Sequence, residues 1–329
     1  MSTEKKIGIL FGRENTFPHA FVERVNSRNV EGITAEFVRI DKVMQARGDE
    51  YAVIIDRISQ DIPFYRAYLK NAAACGTAVI NNPFWWSADD KFFNNTLAEL
   101  IGVKVPKTVL LPSHDHPPDT DEMSMRNLAY PLDWEAIFNY VGFPAYFKPF
   151  SGGGWKHVYK VNSPEEFFER YNQTGQLVMM LQEEIQYTDY YRCYCLGQKW
   201  VRLMEYDPKQ PFHLQYVRNP KPVEAKLARK MEAAVLRLCI GLGYDFNSVE
   251  LAIRDGEPYA IDFGNPAPDA DYYSVGEAHF EWVVETAADL AIERALAHKP
   301  GQMNLTWGKF VTSAVRHKRV SPRDVRLPE

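Results

Sequence analysis

Apolar residues enter the chain as a short run, Ile7-Gly-Ile-Leu-Phe, closed by Gly12, and the next segment sets Phe17, Phe21, Val22 and Val25 at helical spacing. This predicts a strand, a glycine turn and a helix. The pattern recurs, with strands expected over Ile33 to Ile40, Tyr51 to Asp56 and Thr77 to Ile80 and a helix over Pro63 to Cys75. Strands alternating with helices imply a parallel sheet with covered faces. A helix over Asp89 to Ile101 stops at Gly102, and the stretch from Ser113 to Pro131, aperiodic and rich in Pro, Asp, His and Met, reads as a surface excursion.

Downstream, Ala145 to Phe150 and Val158 to Val161 read as strands around Ser151-Gly-Gly-Gly154. Ser163-Pro-Glu-Glu166 is a helix start with a Ser cap, Pro at the first helical position and Glu at the third. Val178 to Gln182, Tyr190 to Leu196 and Lys199 to Met204 are strand-like, the last two paired about Gly197-Gln198. Pro222 to Leu242 carries Val223, Leu227, Met231, Val235, Leu238 and Leu242 on one stripe, an amphipathic helix whose stripe is core.

Composition narrows the class. With 329 residues, 46% hydrophobic and 25% charged, the chain has the balance of a soluble globular protein with room for two or three packed units. A formal charge of −5 argues against a whole-chain nucleic-acid binder. No apolar run reaches the roughly 20 residues of a membrane span, and the opening run is too short for a signal peptide, so a cytoplasmic protein without a membrane partner is expected. Cys75, Cys193, Cys195 and Cys239 lack zinc-ligand spacing; Cys193 and Cys195 share a strand face and are expected to pack. His114 and His116 lack a third ligand and read as solvated.

Two places carry chemistry. At Lys148-Pro-Phe-Ser-Gly-Gly-Gly154, consecutive glycines let backbone N–H groups approach phosphate oxygens beside a lysine, although such a run is more often an ordinary connection between strands. The other place is Glu250 and Asp262, on strands 249–253 and 259–263 that flank Asp255-Gly256, with Asn265 beyond. A two-residue loop sets Glu250 opposite position 261 and sends the acids to different faces. A three-residue loop puts both on one face, so cooperation between them predicts the three-residue form. Two carboxylates and an amide oxygen at that range suit Mg²⁺.

In their order along the chain these features resemble the ATP-grasp superfamily. Ala78-Val-Ile-Asn-Asn-Pro83, Asp90-Lys91 and Gly102-Val-Lys-Val-Pro-Lys-Thr108 look like that family's passage from its first to its central domain. The resemblance implies an α/β (α+β ATP-grasp) fold: a Rossmann-like parallel-sheet domain over residues 1–105, then two α+β subdomains clasping ATP, a lid at 106–188 and a metal-bearing unit at 189–298. A basic tail, 299–329, follows. It makes Lys91 and Lys148 the nucleotide-contacting lysines and Ser151, Gly152, Gly153 and Gly154 the loop over the phosphates. Glu183, Glu184 and Ile185 match the adenine-holding hinge, Asp189 the ribose-binding acid, and Glu250, Asp262 and Asn265 the ligands of Mg²⁺, for which Mn²⁺ could substitute. Two residues separate Asp262 from Asn265 where the family has one, which leaves Asp269 and Asp271 as alternative ligands. D-Alanine ligases carry Arg two residues before the first metal acid; this chain has Ser248.

The implied activity is that of an ADP-forming carboxylate–amine ligase: the γ-phosphate passes to a substrate carboxylate and an amine or other nucleophile attacks the acyl phosphate. Arg192 and Arg202 are the candidates at the acyl phosphate, and Glu14 is a weaker candidate for a substrate ammonium. The implied partners are ATP, a small-molecule carboxylate and a nucleophile, with homo-oligomerisation left open. A small-molecule kinase on the same fold and a non-catalytic nucleotide-binding protein are the competing readings.

Overall fold

The computed structural model describes residues 4–48, 50–84, 90–299 and 304. Three four-stranded sheets follow one another along the chain. The first is parallel and holds β1 (Lys5–Leu10), β2 (Ile33–Phe37), β3 (Tyr51–Asp56) and β4 (Ala78–Ile80) in the order β2-β1-β3-β4. Every residue of β3 is buried, as a strand covered on both faces requires. Leu10 and Ile54 pack on α2 (Pro63–Ala74), while Ile7, Ile9, Val53 and Ile55 point to the other face and the side of α1 (Phe17–Ser27).

The second sheet, β5 (Thr108–Leu111), β6 (Ala145–Pro149), β7 (Tyr159–Val161) and β8 (Met179–Glu183), is antiparallel in the order β5-β8-β6-β7. Its core is aromatic: Phe147 meets Phe167 and Tyr171 of α5 (Pro164–Tyr171), and Phe167 meets Trp134 and Phe138 of α4 (Trp134–Val141). The expected start of α5 is present, since Ser163 Oγ accepts from Glu166 N at 3.3 Å and Glu166 reaches back to Asn162 N at 2.9 Å. The third sheet is also antiparallel, with β9 (Asp189–Leu196), β10 (Trp200–Glu205), β11 (Phe246–Arg254) and β12 (Glu257–Asp262) in the order β10-β9-β11-β12. One face packs on α6 (Ala225–Leu242) through Cys193, Cys195, Val249 and Leu251, so both cysteines are core.

Several expected bounds shift. The helix expected from Pro222 starts at Ala225, since Glu224 takes an extended ψ of 133° and stands outside the helix as its N-cap. The helix α3 (Lys91–Leu100) is capped by Asp90, whose side chain accepts from Phe93 N at 2.8 Å; Asp89 lies outside the described residues. The basic tail beyond Lys299 also lies outside them, Asn304 excepted. A short helix α7 (Tyr272–Val275) leads into α8 (Glu277–Ala297), whose buried residues include Val283, Val284, Ala287, Leu290 and Ala291. This helix joins the first sheet and the third in one core, with Phe17, Tyr194 and Phe246 at the junction. Among the described residues, no helix is long and apolar enough to cross a membrane.

Candidate active site

The β11–β12 hairpin turns through two residues, Asp255 and Gly256, with φ of 54° and 69°. Arg254 pairs with Glu257, so the expected three-residue loop is not formed. On that register Glu250 would face position 261, but the ladder slips between Glu250 and Leu251: Leu251 pairs with Ala260 and Glu250 with Asp262, leaving Ile261 as the extra residue of a β-bulge. The two acids therefore stand directly opposite each other on one face, brought there by the bulge.

Three cationic side chains meet them. Lys91 Nζ, from the first residue of α3, lies 3.3 Å from each carboxylate oxygen of Asp262. Lys148 of β6 lines the same small pocket with Lys91, Asn94, Asn95, Met180, Ile261, Asp262 and Phe263. Arg192 of β9 pairs across the ladder with Glu250, its Nε 3.8 Å from Glu250 Oε1, and Tyr190 donates to Glu250 Oε2 at 2.6 Å. Lys91 N also donates to Phe150 O at 2.7 Å, tying the start of α3 to the end of the strand that carries Lys148.

The electrostatics follow from this crowding. Burial pushes the Glu250 carboxyl above its ordinary value, with Arg192 opposing and Asp262 adding repulsion. Burial also works against ionisation of Asp262, but Lys91 and Lys148 outweigh it and hold that carboxyl low. Burial, then Lys91, draws the Lys148 ammonium down to about 8, against the pull of Asp262 and Glu250. Burial and the adjacent Glu250 raise the Tyr190 hydroxyl well above its usual value, which keeps it a donor.

The donors fit a hard divalent cation. Glu250 and Asp262 offer oxygen, and their repulsion would fall on binding one. Asn265 Nδ2 donates to Ser248 Oγ at 3.1 Å, which leaves its amide oxygen as the remaining acceptor. Ser248 Oγ also accepts from Arg192 Nε at 3.4 Å. Asp269 and Asp271 are engaged elsewhere: Asp269 accepts from Ser274 Oγ at 2.5 Å, and Asp271 caps α7 and accepts from Thr16 Oγ1 at 3.0 Å. Among the described residues, no three His, Cys, Asp or Glu side chains gather as a metal centre.

The remaining candidates divide. Ser151 to His157 are all exposed, and a Cβ built on Gly152, Gly153 or Gly154 would meet nothing within 4 Å. Glu183 ties the second sheet to the hairpin, accepting from Lys107 N at 3.2 Å and from Arg254 Nη1 at 2.6 Å. Glu184 accepts from Lys160 at 2.8 Å, and Ile185 is buried. Asp189 is exposed and accepts from Thr188 Oγ1 at 2.7 Å. Arg202 turns to His279 Nδ1 at 3.1 Å, with Tyr194 as its ladder partner on β9. Glu14 receives a two-pronged ion pair from Arg57, which is buried between the rings of Phe17 and Phe246. The sequence assigns Tyr190 no role and marks Ser248 only as a departure from the D-alanine ligases; the signal for both is the two-residue spacing that puts them on the faces of Arg192 and Glu250.

No protein-family model matches the chain, and no curated protein does. Solved structures match it in shape. D-alanine–D-alanine ligase from Bacillus anthracis, complexed with ATP, is 15% identical with a TM-score of 0.60, covering 90% of this chain and 98% of its own. VanG D-Ala:D-Ser ligase from Enterococcus faecalis is 15% identical at 0.61, covering 89% and 100%. The ATP-grasp ligase PsnB, complexed with a minimal precursor, is 14% identical at 0.61, covering 88% and 99%.

Proposed function

Because the chain has the ATP-grasp fold, we propose that it binds Mg²⁺-ATP between its two antiparallel sheets and uses it to activate a substrate carboxylate for attack by an amine or other nucleophile. The observation that carries this reading is the convergence of Lys91 and Lys148 on Glu250 and Asp262, from segments up to 171 residues apart in sequence. Such a cluster serves phosphoryl transfer, where the protein's work is positioning and charge neutralisation. The metal would be held by Glu250, Asp262 and Asn265 and would supply charge neutralisation at the phosphates. Lys148 and the N–H groups of the 151–154 loop would hold the transferring phosphoryl group, and Lys91 would keep Asp262 ionised. Arg192 would stabilise the developing charge at the acyl phosphate, Tyr190 orients Glu250, and Ile185 with its neighbours would line the adenine end.

The competing kinase and binding-protein readings predict different products. The test is Mg²⁺-dependent ADP release with amino acids and short peptides, offered singly and in pairs, with product mass measured. A ligase needs both co-substrates and gives a product heavier than either. A phosphorylated single substrate would favour the kinase reading, and nucleotide binding without any turnover the binding protein.

A further inference from the structure

Of the two faces of the third sheet, the one turned away from α6 carries Tyr190, Arg192 and Tyr194 with Ser248 and Glu250. On this face β10 places Arg202 opposite Tyr194, two strands across and two residues along from Glu250, or about 12 Å by strand geometry. Arg202 Nε donates to His279 Nδ1 at 3.1 Å. An accepting Nδ1 makes that imidazole neutral, with its proton on Nε2 as a further donor. Arg218 reaches the same corner: its Nη2 donates to Tyr273 O at 2.8 Å and Ser274 O at 3.1 Å, and its Nη1 lies so close to Gly276 that a Cβ there would collide with it. Burial, then Arg202 and Arg218, lowers the His279 imidazole to about 4, so the charges acting on it are both positive.

The surroundings leave these charges unanswered. Arg24, Arg28, Arg254 and Arg294 each hold a carboxylate, whereas among the described residues neither Arg202 nor Arg218 has one within ion-pairing distance. Arg202 and His279 are half-buried and Arg218 is exposed, so the corner opens to solvent. Glu277, the acid in the adjoining first turn of α8, is exposed.

We propose that Arg202, Arg218 and the Nε2–H of His279 form a subsite for a second carboxylate of the substrate, so that the enzyme acts on an acidic peptide. This rests on the carboxylate-activating reading above, and a separation of about 12 Å from Glu250 is the length of roughly three to four extended residues, so the second carboxylate belongs to a peptide. Planar guanidinium groups converging without a protein acid suit a carboxylate, and charge-assisted contacts of this kind discriminate strongly against a neutral amide.

The experiment measures binding of tetra-L-glutamate and tetra-L-glutamine to the full chain by calorimetry, with and without a non-hydrolysable Mg²⁺-ATP analogue. The expected result is at least tenfold tighter binding of the acidic peptide. Arg218→Gln should remove most of that preference, Arg218→Lys should recover part of it, and nucleotide affinity should not change in either. Equal binding of the two peptides, or a preference that survives Arg218→Gln, overturns the subsite. Tighter binding of O-phospho-L-serine than of L-glutamate would overturn the carboxylate assignment in favour of a phosphate. A chain that binds no Mg²⁺-ATP would instead overturn the ligase reading, an outcome read separately from the peptide comparison.

Discussion

Around Glu250 and Asp262 each charged group answers another, whereas from Ser151 to His157 the chain touches almost nothing. Lys91, Lys148, Arg192 and Tyr190 approach the acid pair from α3, β6 and β9, elements locked by sheet registers and by the bond from Lys91 N to Phe150 O. The loop has exposed side chains throughout, Trp155 among them at 71%, and takes positive φ at Gly152, Gly154, Trp155 and His157. Preorganised charge lowers a barrier because no reorganisation is left for the moment of reaction. A cover that must admit nucleotide and then exclude water gains from the opposite property. Substitutions in the acid cluster should therefore change chemistry, and substitutions in the loop should change access.

The largest effect is expected at the acid pair. Glu250→Gln and Asp262→Asn should each cut Mg²⁺-dependent ADP release by about 10²- to 10³-fold, the range for removing a preorganised electrostatic contact. Stability separates the two. The folded-state value of Glu250 is raised, chiefly by burial and then by Asp262, so neutralising it removes a desolvation cost and Tm should hold or rise. That of Asp262 is lowered by its lysines, so Asp262→Asn should lose a little stability at neutral pH and none at pH low enough to protonate the carboxyl. Normal turnover in either variant would place the metal elsewhere.

Next comes Lys148→Ala, expected to weaken ATP binding about 10- to 100-fold, the worth of a charge-assisted contact of roughly 1.5–3 kcal/mol. Full nucleotide affinity in a folded variant would remove Lys148 from the phosphate site. A pH series sharpens this. With the amine drawn down to about 8, ATP affinity of the wild type should fall as pH rises through 8, and the Ala variant should show no such step. Stability runs the other way. A lysine whose folded-state value is depressed costs stability fully below about 8, and the cost is relieved as pH climbs toward the ordinary value of 10.5. Lys148→Met should therefore be stabilising at pH 7 and less so at pH 10, read by urea unfolding at each pH.

How much of this was legible from sequence depends on whether the cause is local. The parallel sheet, the Ser163 cap and the core role of Cys193 and Cys195 follow from periodicity and from short-range hydrogen bonding. Glu250 does pair with Asp262, but not through the three-residue loop that their cooperation predicts. Asp255-Gly256 forms the two-residue turn that those residues favour, and the slip that restores the pairing is the bulge at Ile261. Nothing in the residues 257–262 marks a bulge. Next to it, Lys104 bridges to Tyr259 and accepts from Ala260 N at 2.8 Å, contacts made from far along the chain. Arg202 shows the same limit: its strand and face were readable, but its partner His279 lies 77 residues away.

The smallest effects are expected in the loop, and there the three glycines should differ from one another. Gly152 and Gly154 hold φ of 80° and 72°, where a side chain costs about 1 kcal/mol of backbone strain, while Gly153 has no positive φ and open space around its Cβ position. Gly153→Ala should leave both stability and nucleotide affinity within experimental error. Gly152→Ala and Gly154→Ala should also leave global Tm unchanged, because the loop is joined to no core. Their strain should instead bias the loop away from this conformation, changing kcat and the ATP KM a few-fold and together. Measuring all three side by side tests the comparison at its weakest point. If Gly153→Ala costs as much activity as its neighbours, the closed loop must bring that Cβ position against nucleotide or protein, and the loop would then be shaped for close contact as well as for access.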